Sequence, residues 1–130
     1  MAMFMDRFQG ETYALVRIVF GLLFLSHGLQ KLVGWPLPMP EGFAMTPLVW
    51  AAGAIESVGG ALIAIGFQTR WAAFLCSGQM AVAYWMAHGL RHWHPNVNQG
   101  ELAVLYCFAF LCIAAHGAGI WSVDGGARSA

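Results

Sequence analysis

"YALVRIVFGLLFLSHGLQKLV", residues 13–33, is an apolar run of helical length that nevertheless carries Arg17, His27 and Lys31. About 20 residues at a rise of 1.5 Å cover the roughly 30 Å of a hydrocarbon core, so this run is long enough to cross a bilayer. Gly34-Trp35-Pro36 ends it. Three runs of the same character follow at 47–67, 70–88 and 101–120. Lipid offers no hydrogen-bond partner to an open strand edge, so spans of this length are expected to be helices. The fold class expected is all-α: an integral membrane four-helix bundle in one domain covering 1–130.

Composition points the same way. Of 130 residues, 59% are hydrophobic and 9% charged, and mean hydropathy is +0.63. A soluble domain carries roughly a quarter charged residues, and a core of this size could not hide so much apolar surface from water. Six Lys and Arg balance six Asp and Glu, with no basic block, so nucleic acid is not an expected partner. Cys76, Cys107 and Cys112 lie inside apolar runs with neither CxxC nor zinc-ligand spacing, which reads as packing rather than a disulfide framework. Arg17 interrupts the first run and no small-x-small cleavage site follows it, so the run is expected to be a retained span rather than a signal peptide.

The connections set the topology. Residues 34–46 and 89–100 are long and rich in Pro, Gly or His, whereas spans two and three are joined only by Gln68-Thr69. So short a link makes those spans an antiparallel hairpin, with Thr69 expected as N-cap. The side with both termini and this turn carries Arg7, Arg17, Arg70 and Arg128, against Lys31 and Arg91 on the other. The excess of positive charge places both termini in the cytoplasm. Trp35, Trp50, Trp85, Trp93, Trp121 and Tyr13 fall near the span ends, as an aromatic belt does.

An ionisable group at bilayer depth costs a few kcal/mol, about 3, on insertion scales and must find a partner or a wet cavity. At 100° per residue, Arg17, His27 and Lys31 share an arc of about 80°, while Gln30 points elsewhere. Glu56 on span two lies about 13 Å below the outer boundary and His27 about 9 Å, with Gln79 near the level of Glu56. Arg17, His27, Lys31, Glu56 and Gln79 are therefore expected to line one internal polar pocket, with Glu56 neutralising Arg17 or His27. Two readings of the cluster stand: a clamp that fixes helix register, and a site for a quinone head, a small ligand or a proton. Gly53, Ser57 and Ala61 recur every four residues on span two, beside Gly60, and Gly21 and Gly28 lie seven apart on span one, a pattern for close backbone approach of the two helices.

Elsewhere the signals are weaker. His88, His92 and His94 have spacing acceptable for metal or haem, but Pro95 ends the helix there and no fourth ligand is placed, so an interfacial polar turn is the favoured reading. His116 lies toward the far end of span four. No P-loop, dinucleotide fingerprint, HExxH, GxSxG or CxxC occurs, and no catalytic residue is assigned.

"RIVFGLLFLSHGLQKLVGW" (17–35), "AAGAIESVGGALIAIGFQTRWAAFL" (51–75) and "GIWSVDG" (119–125) together resemble the DoxX family of small bacterial membrane proteins. The pattern positions are Arg17, Gly21, His27, Gly28, Lys31, Glu56, Gly59, Gly60, Thr69 and Arg70, while the loop 91–101 keeps the family's character only loosely. The family takes its name from a subunit associated with membrane thiosulfate:quinone oxidation, and relatives are linked to redox-stress complexes and methylamine utilisation. The resemblance implies an accessory subunit of a quinone-linked or redox-protective complex in the bacterial inner membrane, with quinone as the cofactor class and membrane redox proteins as partners. Haem and metal are not expected. A non-catalytic scaffold is the alternative, and a small-solute or proton carrier, acting as a homo-oligomer, is a third reading.

Overall fold

Phe8 leads into the first long helix after a 3-10 turn, Asp6–Phe8, and the helix ends where Gly34 takes up a left-handed conformation (φ 71°) and turns its N–H back onto Gln30 and Leu29. The computed structural model describes residues 3–125, and every regular element within them is helical. In order these are α1 (Gln9–Val33), α2 (Pro47–Ile65), α3 (Thr69–Tyr84) continued by a π turn (Trp85–Gly89), a short α4 (Pro95–Asn98) and α5 (Glu101–His116). Arg128, one of the cations on the side of the termini, lies outside the described residues.

Local chemistry accounts for the boundaries. Thr46 caps α2 by accepting the Val49 N–H at 3.3 Å, with Pro47 at the first helical position where it sacrifices no bond. Thr69 is not the N-cap of α3: Gln68 holds that place in a left-handed conformation (φ 51°), and the capping oxygens come from Asp124, far along the chain. α5 stops at His116 rather than running to Ile120, because Gly117 and Gly119 adopt positive φ.

α1 lies along α2, and α3 along α5. The first pair approaches so closely that a Cβ on Gly21 would come within 2.8 Å of the Gly60 carbonyl, and one on Gly28 within 2.8 Å of the Gly53 carbonyl. The pairs meet over a core of Phe24, Ile63, Cys76, Met80, Tyr106 and Phe110. Phe24 reaches from α1 to α5, 4.8 Å from Phe110 and 5.2 Å from Tyr106 between ring centroids. The outward faces are apolar: Leu15, Leu22, Val58, Phe74, Leu105 and Phe108 are all exposed. Two helices, Asp6–Val33 and Pro47–Ile65, are long and apolar enough to cross a membrane, and Glu101–His116 is a shorter apolar helix.

Candidate functional site

The polar residues inside this apolar fold divide between its two ends. Arg17 and Glu56, both buried, belong to different clusters, so the shared pocket expected of Arg17, His27, Lys31, Glu56 and Gln79 is corrected to four residues without Arg17.

Arg17 is 0% exposed and points toward the α2–α3 turn. Its Nε donates to Ile63 O (3.1 Å), Nη1 to Ala118 O and Ile120 O (3.0 Å), and Nη2 to Ala64 O (3.4 Å) and Trp121 O (2.6 Å). A guanidinium has five N–H donors, so the group is fully satisfied by backbone carbonyls and needs no carboxylate at contact distance. Two of these carbonyls end α2 and three belong to the segment after α5. That segment is tied down again by Asp124, whose carboxylate accepts the Gln68 N–H (3.0 Å), the Thr69 N–H (2.9 Å) and the Thr69 hydroxyl (3.0 Å). Partial burial works against the Asp124 charge, but these hydrogen bonds and the Arg17 charge outweigh it and hold the carboxyl below the ordinary aspartate range. Arg70 completes the arrangement, donating to the carbonyls of Ala114 (3.0 Å), Ala115 and His116 (3.1 Å) at the free end of α5. His116 stacks on Tyr13 with ring centroids 3.8 Å apart.

At the opposite end a cavity of about 550 Å³ lies between α2, α3 with its π turn, and α5. Glu56, 3% exposed, sits at its floor, where Lys31 Nζ donates to Oε2 at 2.7 Å and Gln79 Nε2 to Oε1 at 3.0 Å. The Glu56 carboxylate requires donors, which fixes the Gln79 amide with its nitrogen toward Glu56. Lys31 is thus turned inward rather than snorkelling to the surface. His27 also lines the cavity, its ring perpendicular to Tyr106 at 5.9 Å. Tyr106, 3% exposed, lines the cavity, and its hydroxyl makes no hydrogen bond to any described residue, while the Gln79 Oε1 is buried without a partner. The walls are apolar, with Ala51, Ala52, Ile55, Val82, Ala83 and Leu102 among them.

The three loop histidines do not converge. His88, on the π turn, lines the cavity with Nδ1 3.1 Å from Asn98 O, while His92 Nδ1 accepts the His94 N–H (3.0 Å) and His94 Nδ1 the Asn96 N–H (3.2 Å). Among the described residues no group of three or more His, Cys, Asp or Glu could hold a metal ion. Of the small residues, Gly21, Gly28, Gly53 and Gly60 lie at the α1–α2 contact, and Ser57 faces Gly28 with its hydroxyl buried and unpartnered.

Reading by residue type missed Tyr106 and Asp124. Tyr106 had no strong local signal: it is the sixth residue of α5, hardly deeper in its helix than Tyr13, the fifth residue of α1. Asp124 had no local signal, since its partners lie 55 and 56 residues away.

A family model described as DoxX matches residues 12–89, which includes His27, Lys31, Glu56, Gln79 and His88 but neither Tyr106 nor Asp124. An uncharacterized protein of Haemophilus influenzae is 36% identical over 125 residues, covering 92% of this chain and 93% of its own length. No solved structure matches.

Proposed function

This chain belongs to the DoxX family, and from that premise we propose that it is a multi-pass four-helix protein of the bacterial inner membrane, both termini cytoplasmic, serving as an accessory subunit of a quinone-linked redox complex. The membrane placement is supported by the inside-out distribution of side chains. Arg17 and Glu56 are buried while Leu15, Leu22, Phe74 and Phe108 face outward, which suits a hydrocarbon surrounding better than water.

The observation that carries the quinone reading is the chemistry of the cavity floor. Its volume is that of a small-molecule site, for which about 300–1,000 Å³ is usual. Lys31 and Glu56 cancel each other's charge, so an anionic head gains no net attraction in this low-dielectric setting. Near the floor the remaining groups are the Tyr106 hydroxyl, the spare Lys31 N–H donors, the His27 ring and the unpartnered Gln79 Oε1, which together suit a neutral ring bearing carbonyl or hydroxyl oxygens. Lys31, Tyr106 and His27 would hold such a head, and Glu56 with Gln79 would hold Lys31. A bound quinone would supply two-electron redox capacity to the partner protein, and this chain's part is to bind and orient it.

The test is binding to purified protein in lipid vesicles. A long-tailed quinone is expected to bind saturably, with at least tenfold weaker binding in Tyr106→Phe, which keeps the ring packing and removes only the hydroxyl. Absence of saturable binding by the unaltered protein would sink the quinone reading. The polar cluster would then serve as a register clamp within a membrane scaffold.

A further inference from the structure

Several cavity residues also belong to the outer surface of the protein. Ile55 is 42% exposed, Val82 58% and Met86 54%, and all three line the cavity above Glu56. Near the α2–α3 turn there is no such opening, since a Cβ on Gly59 would collide with Cys76 Sγ. Beyond Gln79 the cavity lies between the two helices. Alanines at 51, 52, 83 and 87 leave the space between them free, and the π turn Trp85–Gly89 interrupts the regular helix at its far edge. The gap therefore faces the same surroundings as the apolar exterior.

We infer that the cavity is loaded sideways from the hydrocarbon layer, through a slot between α2 and α3 rimmed by Ile55, Val82 and Met86, and that its occupant is an amphiphile with a neutral oxygen-bearing head and a single long apolar tail. The inference rests on the membrane placement proposed above. The head is argued from the mutual cancellation of Lys31 and Glu56 and from Tyr106, which lines the cavity and whose hydroxyl makes no hydrogen bond to a described residue. The tail is argued from the slot: a rim of Ile, Val and Met offers it no polar contact, and it stays in lipid while the head descends to Tyr106. A long-tailed ligand never has to leave the membrane to reach the floor, whereas a short polar ligand would have to enter at the loop end, where His88 and Gln99 line the cavity.

The experiment places a thiol on the back wall of the cavity by Ala103→Cys and reconstitutes the whole chain in lipid vesicles. It is labelled in parallel with a long-alkyl maleimide that partitions into the bilayer and with a sulfonated maleimide that stays in water. Mass spectrometry of the peptides separates the new site from Cys76, Cys107 and the exposed Cys112, which serves as the reference for delivery of the alkyl reagent.

The expected result is labelling of position 103 at least tenfold faster with the alkyl reagent than with the sulfonated one. Adding Val82→Trp, a substitution at an exposed position that narrows the slot, should slow it about tenfold while leaving Cys112 unchanged. Equal labelling by both reagents, or insensitivity to Val82→Trp, overturns sideways loading. Labelling in native membranes that appears only after a co-purifying protein is removed puts a partner helix in the slot and overturns the assigned occupant. If labelling is sideways but a long-tailed quinone does not protect the site, the slot stands and the quinone reading falls.

Discussion

Arg17 and Glu56 show how differently two buried charges can be accommodated in one small protein. Arg17 spends all five donors on carbonyls, so Arg17→Lys, with three donors on a point charge, should leave carbonyls unpaired and lower the thermal unfolding midpoint in detergent despite conserving charge. Glu56 depends on Lys31. Lys31→Met alone strands a buried carboxylate and should cost about 3–5 kcal/mol, whereas adding Glu56→Gln should recover most of that loss, because removing both charges is far cheaper than removing one. A double-mutant cycle on unfolding midpoints reads this directly, and additive losses would count against the pair. Asp124 supplies a pH dependence. Its folded carboxyl titrates below the unfolded one, so its stabilisation is complete above the ordinary aspartate value of about 3.9 and is lost as pH falls through the lower folded value. The stability difference between the unaltered protein and Asp124→Asn should therefore shrink as pH falls from about 5 toward 3, a trend that thermal scans across that window would reveal.

At the scale of elements, the α1–α2 contact is set by the absence of side chains. A Cβ on Gly60 would lie 2.7 Å from the Gly21 carbonyl, backbone against backbone with no flexible atom to yield. Gly60→Val should push the helices apart, cost about 1–3 kcal/mol or more as an overpacked site does, and lower accumulation in the membrane, whereas Gly78→Ala, facing open space, should be neutral by the same assay. The helices themselves could be read from length and apolar content, and the seven-residue spacing of Gly21 and Gly28 was visible as a pattern. What could not be read was which way each polar residue turns. Arg17, His27 and Lys31 share a face of α1, but a helix wheel carries no information on which end of the fold Arg17 reaches toward. Its carbonyl partners are backbone groups, and any residue type could supply them. The cap on α3 was illegible for a related reason: Thr69 has the right chemistry to cap a helix, and only the fold brings Asp124 close enough to take its place.

Across the whole molecule the two ends are built for opposite purposes. The end with the α2–α3 turn is saturated: the Arg17, Arg70 and Asp124 side chains consume carbonyls and N–H groups that helix termini would otherwise leave unpaired. At the other end the Tyr106 hydroxyl makes no hydrogen bond to a described residue and Lys31 uses one donor on Glu56, which leaves the groups that the proposed ligand would engage. The saturated end also imposes an order in time. Three of the carbonyls that Arg17 requires lie 101 to 104 residues downstream of it, so while the ribosome is still making the last helix this buried cation has only the end of α2 to hold. A chain cut before residue 118 would leave Arg17 with only the Ile63 and Ala64 carbonyls, so such a truncation is expected to accumulate less than the full chain.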